Sequence, residues 1–220
     1  MPAGGTGLVL RGLRKEPAAI GKWHLGWDWT HKEGKAKTVD NIGFTKRVAN
    51  GPTDRGFDYF YGLTSPSGPP YLYMVNDMAE KQPNTRFEES GGGLYKIKGG
   101  IGHSDWSADH LADKMLEYLD ENKDSDKPFF LYMALTAPHI PLFPSKEFKG
   151  KSKIGDYGDL VMMIDDIVGR VNRKLKEIGK YDNTIVMFAA DNGCAGYINM
   201  DRINRKGHYP SYIYRGYKSH

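Results

Sequence analysis

This 220-residue chain has one cysteine, Cys194, so no internal disulfide can form, and redox chemistry by a cysteine pair is excluded. It also has no apolar run approaching the length of a membrane span. Arg11, Arg14 and Lys15 stand near the start, but no apolar stretch leads to a small-residue cleavage site, so the N-terminus does not read as a secretory signal. Charge of one sign is scarce too. The formal balance of +4 is spread along the chain, which favours anionic small substrates over nucleic acid. There is no internal repeat.

What is present suits a globular piece. Hydrophobic residues make up 39%, and the length suits one domain. The run Thr184-Ile185-Val186-Met187-Phe188-Ala189-Ala190 reads as a strand buried on both faces, and it ends abruptly in Asp191-Asn192-Gly193. A second run, Pro128 to Leu135, leads into Thr136-Ala137-Pro138-His139-Ile140-Pro141, whose prolines predict extended backbone at His139. A third, Ala18-Ala19-Ile20, leads into Gly21-Lys22-Trp23-His24-Leu25-Gly26. In open parallel sheets ligands collect beyond the carboxyl ends of the strands. Parallel packing of these runs therefore predicts that Lys22, His24, His139, Asp191 and Asn192 converge on one edge.

The connections support that packing. Leu160, Ile164, Ile167, Val168, Val171, Leu175 and Ile178 form one apolar helical stripe, with Gly179 as its C-terminal stop. Strand, amphipathic helix, strand is a parallel crossover unit. An earlier helix is predicted from about Ser107, as N-cap, to Glu121, with Ala108, Leu111, Ala112, Met115 and Leu119 inward. The stretch 81–102 reads as a long loop, and 1–17 as an atypical, glycine-rich start. Trp23, Trp27 and Trp29 suit either stacking on a sugar ring or core packing.

Taken together, the motifs resemble those of the sulfatases, arylsulfatase-like members of the alkaline-phosphatase superfamily. Residues 21–26 are similar to the signature G-K-W-H-L-G, and Gly56-Phe57-Asp58-Tyr59-Phe60-Tyr61-Gly62 to the stretch that follows it. Ala137-Pro138-His139-Ile140-Pro141 is similar to A-P-H-x-P, and Ala190-Asp191-Asn192-Gly193 to S-D-N-G. Residues 207–218 are similar to G-H-N-P-S-Y-x-x-R-G-x-K. The resemblance implies an α/β fold, a mostly parallel sheet flanked by helices. It also implies hydrolysis of the sulfate ester of a glycan or aryl alcohol, in a periplasmic or extracellular setting. It assigns Lys22 and Lys218 to the sulfate oxygens, and His139 to protonating the leaving oxygen. It assigns His24 to orienting the nucleophile, Ser65 to a sulfate contact, and Asp191 and Asn192 to a divalent cation, calcium in most of the family.

Two family features are not in the sequence: a first strand carrying two metal-binding aspartates, and the C-x-P-S-R motif whose cysteine matures to the formylglycine nucleophile. The expectation is a partial catalytic domain over 1–220, with an incomplete calcium site and no turnover of its own. The alternatives are a non-catalytic protein that at most binds sulfated glycans, and a phosphodiesterase or phosphonate hydrolase of the same superfamily.

Overall fold

The computed structural model describes residues 16–64, 70–88, 100–102, 109–140 and 142–218. Strand β1, Glu16–Lys22, lies between β2, Tyr59–Leu63, and β7, Phe129–Ala134, and runs parallel to both. Strands β3, Tyr73–Val75, and β4, Met78–Ala79, extend the sheet by antiparallel pairing, giving the order β4-β3-β2-β1-β7. The α/β reading holds, but the described sheet is mixed rather than mostly parallel: its parallel part, β2-β1-β7, lies at one side, and β3 and β4 add antiparallel pairs at the other.

Side chains alternate across this sheet as the pleat requires. Ala18, Ile20, Tyr61 and Leu63 point to one face. There they meet helix α1, Asp109–Glu121, and helix α2, Asp156–Glu177. Leu111, Ala112 and Met115 of α1 and Leu160, Met163 and Ile167 of α2 complete that core. Val171 and Leu175 continue the α2 stripe onto Leu119 of α1, with Phe129, Leu131 and Met133 of β7 packed against them. Both predicted helices form. Gly179 takes the left-handed conformation (φ +68°) that ends α2, while Ser107 and Ala108 lie outside the described residues.

Among the described residues the opposite face is covered by loops and short turns of helix rather than by an α-helix. Ala19, Phe60, Leu72 and Met74 are buried under Ile42, Phe44 and Val48. The tryptophans join this layer: Trp27 stacks on Trp29 and leans on Phe60, and Trp29 meets Phe44 edge-on. They pack the core.

Two glycines let the central strands close up. A Cβ at Gly21 would sit 2.0 Å from the carbonyl oxygen of Ala134, and one at Gly62 would sit 1.8 Å from that of Gly21. Gly21 also has φ +130°, which side-chain-bearing residues avoid.

Three expectations are corrected. Residues 184–190 do not form a buried strand: they take no regular structure, pair with no strand among the described residues, and are mostly exposed. Composition alone cannot supply a neighbour, and α2 spends its apolar stripe on α1 and β7. The stretch 81–102 is not wholly loop, because Thr85–Phe87 (β5) and Gly100–Gly102 (β6) pair as an antiparallel ribbon. Its Arg86 is ion-paired with Asp40, fastening the ribbon to the loop that covers the tryptophan face. Finally, His139 sits in a turn closed by its N–H donating to the Thr136 carbonyl at 3.0 Å, not in extended backbone.

A cationic candidate active site at the carboxyl edge

Lys22 is the last residue of β1, so its position follows from the two parallel ladders that hold that strand. The chain beyond it stays tied to β2: the Trp23 N–H donates to the Leu63 carbonyl at 2.9 Å, and that of His24 to the Thr64 carbonyl at 3.1 Å. The Trp23 indole N–H closes on the Gly26 carbonyl at 3.0 Å. His24 has φ +53°, a left-handed conformation costly for a non-glycine residue, and its ring lies exposed at the sheet edge.

His139 comes from the turn after β7, beside the end of β1. Its Nδ1 is 2.6 Å from the Ile140 carbonyl. A carbonyl can only accept, so Nδ1 carries the hydrogen and the titrating position is Nε2. Half-burial lowers the His139 pKa from its ordinary value. The hydrogen bond to the Ile140 carbonyl works against burial, and the charges of Lys218, Lys22 and His24 add to the lowering.

Asp191 reaches the same place from the segment after α2. The Lys22 ammonium donates to its carboxylate at 3.2 Å across 169 residues of sequence. Partial burial works to raise the Asp191 pKa. The Lys22 hydrogen bond and charge, the Asn192 backbone and Lys218 outweigh it, and the carboxyl is held below its ordinary value. Lys218 is brought in by the backbone, its N–H donating to the Cys194 carbonyl at 3.0 Å. Gly193 and Gly196 make room for Tyr217, whose atoms lie within 3.1 Å of where a Cβ on either would stand.

Lys22, His24, His139 and Asp191 therefore gather at one edge, as the parallel packing of their runs predicts, and Lys218 joins them. Asn192 adjoins them, with its amide donating to the Gly193 carbonyl at 2.9 Å. Ser65 lies outside the described residues. Sequence reasoning missed the Lys22–Asp191 pair and the Lys218–Cys194 tether, since neither partner is near the other in the chain. It also missed Asp159, a fully buried carboxylate in the first turn of α2, which accepts from the backbone N–H groups of Gly150 and Ser152 at 2.7 and 2.6 Å. Asp159 organises the loop before its helix and stands apart from the cationic edge.

The cluster is shaped for an anion: two ammonium groups and two imidazoles outnumber one carboxylate. For calcium the fit is poor. That ion takes about six to eight oxygen ligands. Asp191 and Asn192 offer only two side chains, and Lys22 already engages Asp191. Among the described residues no three His, Cys, Asp or Glu side chains form a metal-holding group. Cys194 is no ready nucleophile either. Burial pushes its thiol up, and Sγ lies 3.5 Å from the Tyr157 hydroxyl.

Known proteins share both this sequence and this fold. The chain is 32% identical to pig N-acetylgalactosamine-6-sulfatase over 190 residues, covering 85% of this chain and 32% of that protein. It is 28% identical to N-acetylgalactosamine-6-O-sulfatase of Bacteroides thetaiotaomicron, covering 90% of this chain and 45% of that one. It superposes with a TM-score of 0.72 and 25% identity on a chain from a structural study of glycosaminoglycan metabolism by Bacteroides thetaiotaomicron, covering 95% of this chain and 50% of that one. The chain thus spans from about a third to half the length of these proteins. With residues 9–215 matching the family described as Sulfatase, and with the signature lysines and histidines meeting at one sheet edge, the chain belongs to the sulfatase family.

Proposed function

We propose that this chain carries the sulfate-recognition and leaving-group side of a sulfatase active site directed at a sulfated carbohydrate. The observation that supports it is the convergence of Lys22, Lys218, His24 and His139 around a single carboxylate. In this reading Lys22 and Lys218 hold sulfate oxygens as point charges, and they gain most when negative charge builds on those oxygens as the ester bond breaks. His139 gives the Nε2 proton to the departing sugar oxygen. A bound sulfate offsets the cationic neighbours that, after burial, lower the proton affinity of its ring. His24 orients the attacking group. The sequence carries no C-x-P-S-R motif, so in this reading the chain by itself recognises the ester without turning it over.

The names of the relatives point to a sulfated amino sugar, and the test is calorimetric titration with N-acetylgalactosamine 6-sulfate and with the unsulfated sugar. Only the sulfated sugar binds. Lys22→Ala weakens binding by about tenfold to a hundredfold, the worth of one charge-assisted hydrogen bond. Equal binding of both sugars, or unchanged affinity in Lys22→Ala, rejects the reading.

A further inference from the structure

Lysines alone suffice to hold an anion, so the carboxylate standing among them at the cationic edge calls for a reason of its own. The Lys22 ammonium donates to Asp191 at 3.2 Å, and the charge of Lys218 acts on the same carboxylate. An ammonium has three donors in tetrahedral directions, so Lys22 can hold Asp191 and a ligand oxygen together. Two oxygens that share one ammonium, each about 3 Å from it, stand about 5 Å apart. An ester oxyanion seated on Lys22 therefore has the Asp191 carboxylate about 5 Å away, and like charges at that distance repel. The repulsion persists throughout the neutral range, because the Asp191 carboxyl is held below its ordinary value.

The effect of that carboxylate depends on the charge of the ligand. A sulfate monoester carries one negative charge. A phosphate monoester carries close to two above its second pKa of about 6. Repulsion by Asp191 is thus doubled for the phosphate. Attraction by the lysines also grows in proportion to ligand charge, but the cost of stripping water from an ion grows as its square. A dianion accordingly needs more uncompensated positive charge than a monoanion does. Pairing with Lys22 withholds it: two lysine charges against one carboxylate leave one in excess. The ring of His139, its proton affinity lowered by burial first, adds none at pH 8.

We propose that Asp191 is a specificity-determining residue, whose carboxylate beside Lys22 biases the edge against doubly charged phosphate monoesters and towards singly charged esters. It discriminates by penalising the wrong ligand, not by adding a contact to the right one. The same charge count admits a phosphodiester, which also carries one charge. The inference rests on the reading of the edge as a sulfate-ester site and narrows its ligand from an anion to a monoanion.

Calorimetric titration at pH 8 and low ionic strength, in metal-depleted buffer, compares N-acetylgalactosamine 6-sulfate with the 6-phosphate of the same sugar. The unaltered chain binds the sulfate more tightly. Asp191→Asn keeps the shape and removes the charge, and it moves the ratio of the two affinities about fourfold towards the phosphate, the worth of one extra unit charge about 5 Å away in water. Asp191→Glu keeps the charge and retains the sulfate preference. Because the readout is a ratio of two ligands on one chain, partial unfolding of a variant lowers both stoichiometries and leaves the ratio standing. A phosphate preference in the unaltered chain, loss of the sulfate preference in Asp191→Glu, or an unmoved ratio in Asp191→Asn while the sulfate still binds overturns this inference alone. Binding of neither ester by any of the three chains rejects the reading of the edge, and this inference with it.

Discussion

At the scale of single residues, His139 is where structure and proposed chemistry meet most directly. Half-burial and the cations Lys218, Lys22 and His24 depress its pKa, so in the folded chain it loses its proton more readily than in the unfolded chain. The sign of the linkage follows. Its contribution to stability is present above the unfolded value of about 6.5 and is lost as pH falls through that value, because there the unfolded chain binds the proton more readily. A sulfate held by Lys22 and Lys218 cancels part of the positive field and returns proton affinity to His139. Sulfate binding should therefore take up a proton, and affinity should rise as pH is lowered from about 7.5 to about 6. Thermal midpoints with and without sodium sulfate across that range measure both effects. In His139→Gln the ligand-induced shift becomes nearly independent of pH. A sulfate-induced shift with the same pH slope in the variant would place the titration elsewhere. Both histidines and Lys22 could be found from sequence, because each follows a strand-like run. The Lys22–Asp191 pair could not, because it depends on where two segments 169 residues apart come to rest.

At the scale of elements, Asp159 and the loop it holds make the sharpest case. Its carboxylate is fully buried and accepts two backbone N–H groups, so Asp159→Ala removes two hydrogen bonds to a charged acceptor. Such a bond contributes about 1.5–3 kcal/mol, and with the donors partly open to water the variant should lose about 2–4 kcal/mol. Denaturant unfolding reads the loss. Asp159→Asn, which keeps one acceptor oxygen, should recover part of it, and equal losses in the two variants would mean that packing matters more than the hydrogen bonds. The helix behind that loop was legible because an apolar stripe of period 3.6 needs only a surface to lie on, and α1 and β7 supply one. Strands β1 and β7 were legible for a similar reason, as short apolar runs beside turn signals. The same logic failed at 184–190, whose composition matches a buried strand although burial depends on a neighbour the local sequence cannot name. It also missed the β5–β6 ribbon, since glycines around Gly100 suggest a loop and the pairing with Thr85–Phe87 is set by distance along the chain. Strands β3 and β4 carried no separate signal in so short a hairpin.

At the scale of the whole molecule, the question is what a chain spanning between a third and half the length of its relatives can do with a sulfate ester. In the proposed reading, Lys22 and Lys218 neutralise the sulfate and His139 protonates the leaving oxygen. Such groups accelerate reaction only if they bind the transition state more tightly than the ester itself, and only if something attacks sulfur. Among the described residues the one thiol is Cys194, which burial holds in its unreactive, protonated form and which sits beside Tyr157. An unmodified thiol that did capture the sulfate would form a stable adduct with no carbonyl through which to expel it. The expected outcome is that the purified chain binds a sulfated sugar but gives no multiple turnover of a chromogenic aryl sulfate. Adding in trans or in cis a segment that bears a formylglycine nucleophile should then create turnover. That turnover should fall by about a hundredfold or more in Lys22→Ala and His139→Ala, the usual cost of removing a charge-stabilising group or a general acid. Steady turnover by the chain alone, abolished by Cys194→Ser, would make Cys194 the nucleophile and reverse the assignment.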